Sequence, residues 1–425
     1  MAGNSDSSNG TVAVTTGTPP IEVVPGVNTR RRWWLIGVVL AGLVIGVGGW
    51  WFRAARIARL SSECIALASR EDWPRLEIAA RQWTRWQSAP VAWYWLGMSL
   101  KSQRQFPEAK QAFLKVPLAG PRGVDAAIER LEITYHVEHR PLEAIELAKA
   151  LLDRDPKLAS PRRHLILFCA MTFQRVELIR QVRLAIDQHV DLPEHYIYLF
   201  LLEDLSFRDG QEVTARWAEA NPDSLFLRRV QALHRVRAAR DEARLSPTPE
   251  LTAVFLRVRQ EFADAIDLTR PDPLELDLLL LLAMGDNDQA AAGKLLALVP
   301  ESAVDDPVFW RYRGWYSTQA GDFAGAIQSY REALRIHPLA WQSRSEMSTA
   351  LRLAGDVQEA GKEQTIAGLG SDLHVDLRRL SHAKSASAQL LARLAKFAKE
   401  AGDFKIANGI LRRRQIAESS STTPQ

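Results

Sequence analysis

Two widely separated stretches of this chain carry the same residue types in the same order. Trp93-Tyr94-Trp95-Leu96-Gly97 is followed by Ala109, Phe113 and Pro121, and Trp310 is followed by Gly314, Ala326, Tyr330, Ala333 and Pro338. Self-similarity of this kind restricts a chain to architectures in which one supersecondary unit stacks on copies of itself, since no single unit hides its apolar side alone. From residue 60 onward the sequence reads as short helices broken by polar turns, with no convincing run of alternating strand character. Small residues at Gly97, Gly314, Ala109 and Ala326 let two helices of a unit approach at their crossing. The rings of Phe113 and Tyr330 are expected to fill the space against the next unit, and Pro121 and Pro338 end a repeat because proline cannot continue a helix interior.

Weaker copies flank the strong ones. Leu131, Tyr135, Ala144, Ala148, Leu151 and Pro156 form one, and Leu165, Cys169, Leu178 and Ala185 another. Leu351, Ala360 and Ala367 follow the late strong copy, and Leu394, Ala398 and Ala407 form a last one. The dipeptides Gly321-Asp322, Gly355-Asp356 and Gly402-Asp403 mark the late turns. Cys64, Leu67, Trp73, Ala80 and Trp83 fit an opening unit. This pattern of Trp, Leu, Gly, Ala, aromatic and Pro resembles the tetratricopeptide repeat, a helix–turn–helix of about 34 residues. The resemblance implies an all-α fold: a tetratricopeptide-like helix–turn–helix solenoid following one transmembrane helix. It divides the soluble part into an N-terminal array over 54–240, degenerate helical repeats over 241–306 and a C-terminal array over 307–418. The middle segment keeps helical pairs but loses the signature, and Pro247 and Pro249 mark a break within 240–250.

Ahead of the array, residues 1–29 are rich in Ser, Thr, Gly and Asn and read as a disordered tail, as does 419–425 at the other end. Arg30-Arg31-Arg32 then precedes Trp33 to Phe52, a run without a charged residue. A helix of about 20 such residues spans the roughly 30 Å hydrocarbon core of a bilayer. Trp33, Trp34, Trp50 and Trp51 bracket the run where indoles sit at headgroup level, so 30–53 is read as a single-pass anchor. A cleaved signal peptide is the competing reading, but bulky Trp50-Trp51-Phe52 occupies the place where small residues would be needed. Gly42 and Gly46 form a GxxxG pair through which two such helices can approach as a homodimer. Arginines flank both ends, and the contiguous triplet before the run favours placing the soluble domain on the non-cytoplasmic side.

Composition excludes more than it selects. Over 425 residues, 54 basic side chains face 50 acidic ones for a net charge of +4, which argues against a nucleic-acid partner. Two cysteines, Cys64 and Cys169, rule out a disulfide framework within the chain and fit apolar repeat positions. His136 and His139, three apart, share a helix face but lack further ligands in the sequence, so no metal or cofactor is expected. Arg228-Arg229 to Arg244, with Arg235, Arg237 and Arg240, reads as a solvated basic helix, and Arg412-Arg413-Arg414 as a helix end favoured by the helix dipole. Nucleophile-elbow, phosphate-loop and zinc-protease motifs are missing, so no catalysis is expected.

The tetratricopeptide resemblance places a binding surface on the first helix of each unit. Projected onto this sequence, that concave face carries Tyr94, Met98 and Lys101 in the early array and Arg311, Trp315 and Arg352 in the late one. Aromatic and arginine side chains are the types that anchor protein interfaces. Some members clamp the terminal carboxylate of chaperones with Lys and Asn in this groove. Tyr94 and Met98, then Glu129 and Ile133, stand at those positions and argue against such a clamp. The expectation is a membrane-anchored scaffold for proteins or peptides; the alternatives are a periplasmic holdase or envelope-assembly factor, and a regulatory subunit of a membrane export or biosynthesis enzyme.

Overall fold

The computed structural model describes residues 29–380 and 382–421. The expected disorder of residues 1–28 and 422–425, and the side chains of Arg30, Arg31, Arg32 and Trp33, lie outside the described residues. All regular structure among the described residues is helical, and the chain divides into two compact units, Met1–Ser88 and Ala89–Gln425.

In the first unit, α1 (Thr29–Ser69) is one unbroken helix of 41 residues, longer than a bilayer requires. Its second half forms a hairpin with α2 (Trp73–Trp86). Of the opening-repeat residues, Cys64, Ala80 and Trp83 are buried there with Leu60 and Leu76, while Leu67 and Trp73 are half-buried. Asp72 caps α2, accepting from the Arg75 amide at 3.3 Å. Where the apolar part of α1 ends, Phe52 meets Trp86 edge to face at 6.4 Å and Arg53 Nη2 donates to the Trp86 carbonyl at 2.8 Å.

The second unit is a succession of helical hairpins. The early ones are α3 (Pro90–Ser102) with α4 (Phe106–Leu114), α5 (Gly123–Glu132) with α6 (Pro141–Arg154), and α7 (Ala159–Met171) with α8 (Arg175–Asp187). A π-helical turn, Ile133–Val137, extends α5. Then come α9 (Pro193–Phe200), a 3-10 turn Leu202–Asp204, α10 (Gly210–Ala220), α11 (Leu225–Leu245), α12 (Pro249–Asp264), α13 (Pro273–Gly285) and α14 (Gln289–Leu296). The late hairpins are α15 (Pro307–Gln319) with α16 (Phe323–Ile336), α17 (Trp341–Leu353) with α18 (Val357–Arg378), and α19 (Ala388–Glu400) with α20 (Phe404–Ser421).

The glycines explain how closely each hairpin closes. A methyl group at Gly97 would lie 2.5 Å from the Phe113 ring, and one at Gly314 would lie 2.6 Å from the Tyr330 ring. The aromatic side chain therefore seats on the glycine of its own hairpin, and Tyr330 also packs against Met347 and Leu351 of the next unit, as the repeat pattern suggests. Six of the hairpin turns share one geometry. The amides of Gln105, Gln174, Asp288, Asp322, Asp356 and Asp403 each bond the carbonyl five residues back at 2.8–2.9 Å. This closure places the preceding residue in the left-handed region. Gly321, Gly355 and Gly402 take that conformation at φ +78°, +90° and +88°, while Arg104, Phe173 and Asn287 adopt it at 61°, 55° and 58° despite their side chains. The turn near Gly285-Asp286 thus centres on Asn287, because Gly285 still belongs to α13.

Within this unit the chain folds back on itself. One hydrophobic cluster runs from Ala127 to Ile410, and α20 packs on α8 and α9. Phe200 meets Phe397 edge to face at 5.4 Å, and the Tyr196 hydroxyl lies where a side chain on Gly409 would be. Asp191, fully buried, receives Arg412 at 2.7 Å, Arg413 at 2.9 Å and the Tyr196 hydroxyl at 2.6 Å. Lys405 pairs with Asp187 at 2.7 Å and Arg183 with Asp403 at 2.5 Å. Arg412 and Arg413 are therefore docking residues, where the sequence offered only a favourable helix end.

Candidate functional site

Several charged residues on α8, α11 and α13 are turned inward. Arg175, at the start of α8, is 1% exposed and donates to Asp277 of α13 at 2.5 Å, to Asp306 at 3.4 Å and to the Leu202 carbonyl at 3.2 Å. Arg237 of α11 reaches the same Asp277 oxygen at 2.9 Å, and the Tyr312 hydroxyl donates to its other oxygen at 2.8 Å. Burial by itself would raise the Asp277 pKa; the two guanidiniums outweigh it and hold the carboxyl below its ordinary value. The 3-10 turn Leu202–Asp204 is gripped from the late array. Glu203 pairs with Arg311 at 3.1 Å and accepts from Ser343, while Asp204 lies 3.0 Å from His374 Nε2 and 3.3 Å from Arg378. Arg229 pairs with Asp272 and Glu275, and Arg235 with Glu261. In the arginine-rich α11, Arg229, Arg237 and Arg240 thus form a junction between elements, while Arg228, Arg235 and Arg244 stay exposed as its composition suggests.

This closure separates the expected binding residues by fate. Arg311 holds Glu346 through Nε and Nη2 at 3.0 and 2.6 Å while its third nitrogen takes Glu203, so its fork is committed within the chain. Trp315 is buried with Phe309 and Tyr312. Arg352 stays exposed on α17. In the early array Tyr94 is buried against Trp95 and Phe113, with the Arg122 guanidinium 5.4 Å above its ring, and Met98 is half-buried. Lys101 pairs with Glu129 of the next unit. A methyl group added at Gly42 or Gly46 would meet nothing within 4 Å, and Trp34, Trp50 and Trp51 are exposed.

From Lys101 a polar ladder continues along the first helices. Glu132, ending α5, accepts from the Ser160 hydroxyl of α7 at 3.1 Å through Oε1. Its Oε2 faces two imidazoles, His164 Nε2 at 3.4 Å and His136 Nε2 at 3.6 Å, and those nitrogens are 3.2 Å apart. Burial would raise the Glu132 pKa, but the contacts with His164 and the Ser160 hydroxyl outweigh it and hold the carboxyl at about 2. Farther on, Arg163 pairs with Glu194 at 3.4 Å. Sequence spacing sets His136 beside His139, but His139 sits in the hairpin turn with φ 54°, and the true neighbour is His164 on the following unit. A signal existed. Lys101–Glu129, Glu132–Ser160 and His136–His164 are all separated by 28 residues, as is Arg331–Glu359 in the late array. The thiol of Cys169 is buried and pushed up to about 12 by that burial, which fits a core residue.

No protein-family model and no curated protein matches this sequence. Solved structures of low similarity do align. One is the anaphase-promoting-complex hetero-tetramer Cut9–Hcn1, at 12% identity and TM-score 0.30, covering 91% of this chain and 94% of that one. A second is the human IFIT1 dimer with PPP-AAAA, at 11% identity and TM-score 0.28, covering 84% and 89%. A third is Naa15/Naa10 bound to HypK-THB, at 11% identity and TM-score 0.26, covering 90% and 66%. At such scores the likeness carries no functional argument.

Proposed function

We propose that this chain is a membrane-anchored helical-repeat scaffold that recruits protein partners and performs no catalysis itself. The observation that carries the reading is α1. From Val38 to Phe52 it carries no charged side chain, and Trp34, Val44, Ile45, Trp50, Trp51 and Phe52 are 65–74% exposed. Leaving such side chains in water forgoes about 1.5–3 kcal/mol each, which a bilayer restores. A window beginning in the described part of this helix is long and apolar enough to cross a membrane. The same helix runs unbroken into the first hairpin, so anchor and hairpin share one rod rather than a flexible linker.

The recruiting surface is the early ladder, with Met98, Lys101 and Glu129 at its start. The equivalent late positions, Arg311 and Trp315, are already occupied by the chain's own side chains. The buried ionisable groups join helices to one another, which supports a scaffolding role. The soluble array lies on the non-cytoplasmic side in this reading.

Alkaline carbonate extraction tests the anchor. The intact chain should stay in the membrane pellet, and Val44→Arg, costing about 2.5–3.5 kcal/mol at mid-bilayer, should move it toward the supernatant. Recovery of the intact chain in the supernatant would sink the anchored reading. Protease added to intact cells should degrade the array, and protection would reverse its sidedness. Co-purification in mild detergent should yield a stoichiometric protein that Lys101→Glu releases. Unfolded clients would favour a holdase, and a membrane enzyme complex a regulatory subunit.

A further inference from the structure

The early ladder contains three ligand-type atoms at the mutual distances of a metal coordination face. We propose that Glu132, His136 and His164 bind a Zn2+-class divalent cation that joins one repeat to the next. In a tetrahedral zinc site the metal–nitrogen and metal–oxygen bonds are about 2.0–2.2 Å, so two ligand atoms sit about 3.3–3.5 Å apart. The three edges here are 3.2, 3.4 and 3.6 Å. Each edge of the triangle therefore fits one ion placed above it, with no rearrangement of backbone.

The surrounding groups orient the ligands as metal sites require. His164 Nδ1 lies 2.8 Å from the Ser160 carbonyl, which can only accept, so the neutral ring carries its proton on Nδ1. Nε2 then presents a lone pair toward Glu132 and His136, and the ion takes the place of any proton shared along that edge. Such a hydrogen bond to the distal nitrogen fixes tautomer and ring angle at metal-bound histidines. The Ser160 hydroxyl holds Oε1 of Glu132 and leaves Oε2 facing the imidazoles. One residue, Ser160, thereby positions two of the three ligands.

The backbone adds an independent sign. His136 stands on a π-helical turn, where the Glu138 amide bonds the Ile133 carbonyl at 3.0 Å. Such turns are costly interruptions that occur often at functional sites. The Tyr135 ring, buried beneath, contacts both imidazoles at 4.9 and 5.2 Å and sets their platform. His164 is nearly buried while His136 is 53% exposed, which leaves an approach path and a fourth position for water or a ligand from outside. Two imidazoles and a carboxylate suit Zn2+ and its neighbours rather than Mg2+ or Ca2+, which take oxygen donors.

The test uses the full chain in detergent, purified without a polyhistidine tag and stripped with chelator. Zn2+ titrated against a chromophoric competitor should be taken up at one equivalent, and Co2+ should give the intense visible bands of a four-coordinate site. His136→Gln and Glu132→Gln, both on partly exposed side chains, should each weaken Zn2+ binding about tenfold or more, and Ser160→Ala by about tenfold through loss of orientation. His139→Gln, on the neighbour that the sequence alone would choose, should leave affinity unchanged. Circular dichroism on each variant confirms that the fold persists. Absence of a saturable equivalent in the intact chain, or uptake that survives both His136→Gln and Glu132→Gln, overturns the proposal.

Discussion

Replacing Asp277 by Asn changes the side-chain volume hardly at all and removes the negative charge on which four helices converge. Asp277 is 1% exposed and accepts from Arg175 at 2.5 Å, from Arg237 at 2.9 Å and from the Tyr312 hydroxyl at 2.8 Å. Without that charge Arg175 retains Asp306 at 3.4 Å, and Arg237 loses its carboxylate partner in the network. Breaking a buried ion pair from one side costs about 3–5 kcal/mol, because the remaining charge stays desolvated. We expect that range for Asp277→Asn, read from urea unfolding of the full chain in detergent by tryptophan fluorescence. Repeat arrays lose cooperativity, so the comparison is made at the first transition.

Tyr312→Phe removes one hydrogen bond and should cost about 1 kcal/mol. Asp223→Asn, on an exposed side chain, should stay within about 0.5 kcal/mol. Changing Asp277 and Arg237 together to Leu and Met, with Arg175 left on Asp306, should cost less than Asp277→Asn alone, since Arg237 is then not stranded. The folded pKa of Asp277 is depressed, so its contribution is present above the ordinary value of 3.8 and is lost as pH falls through the folded value. The wild-type chain should therefore lose more stability on acidification than Asp277→Asn does. A single variant within about 1 kcal/mol of wild type, or a double variant worse than the single, would refute the reasoning.

Three further outcomes follow from geometry. Gly314→Ala drives a methyl into the buried Tyr330 ring and should destabilise by about 1–3 kcal/mol, whereas Gly361→Ala, in open space on α18, should stabilise by about 0.5–1 kcal/mol in the same denaturation assay. Arg104→Gly relieves a left-handed backbone at φ 61° and should stabilise by about 1 kcal/mol; a loss of stability would show that the side chain supplies more than the strain removes. Asp191→Ala strands Arg412 and Arg413 and should expose α20 to limited proteolysis at residues 404–421. Burial raises the Asp191 pKa, but the Arg413 and Tyr196 hydrogen bonds outweigh it and hold it below 3.8. The same cleavage should therefore appear in the wild type as pH falls below that value, and α20 equally protected in both chains would refute the docking role.

The hairpins were legible because their determinants are local. Gly97 with Phe113 and Gly314 with Tyr330 are pairs set by one helical crossing, and Gly-Asp turns announce the left-handed caps. The middle segment was less legible. Gly285-Asp286 marks its turn after α13, though Asn287 takes the left-handed position, and its arginines look like a solvated face until their acidic partners are seen. The late contact residues Arg311 and Trp315 proved to be internal for the same reason.

The amino-acid order alone decided that this chain is built of paired helices behind one apolar helix. Helical period, small-residue contacts and caps act over a few residues and survive translation into any context. What the tertiary structure decided is which of those helices meet again after long intervals: Asp191 with Arg412, Glu203 with Arg311, Arg175 with Asp277. Those meetings depend on small rotations accumulated over many stacked units, and no local spacing records that sum. His136 and His164 lie between the two cases, on successive units, close enough in sequence for a recurring offset of 28 to show and far enough that only packing brings their nitrogens together.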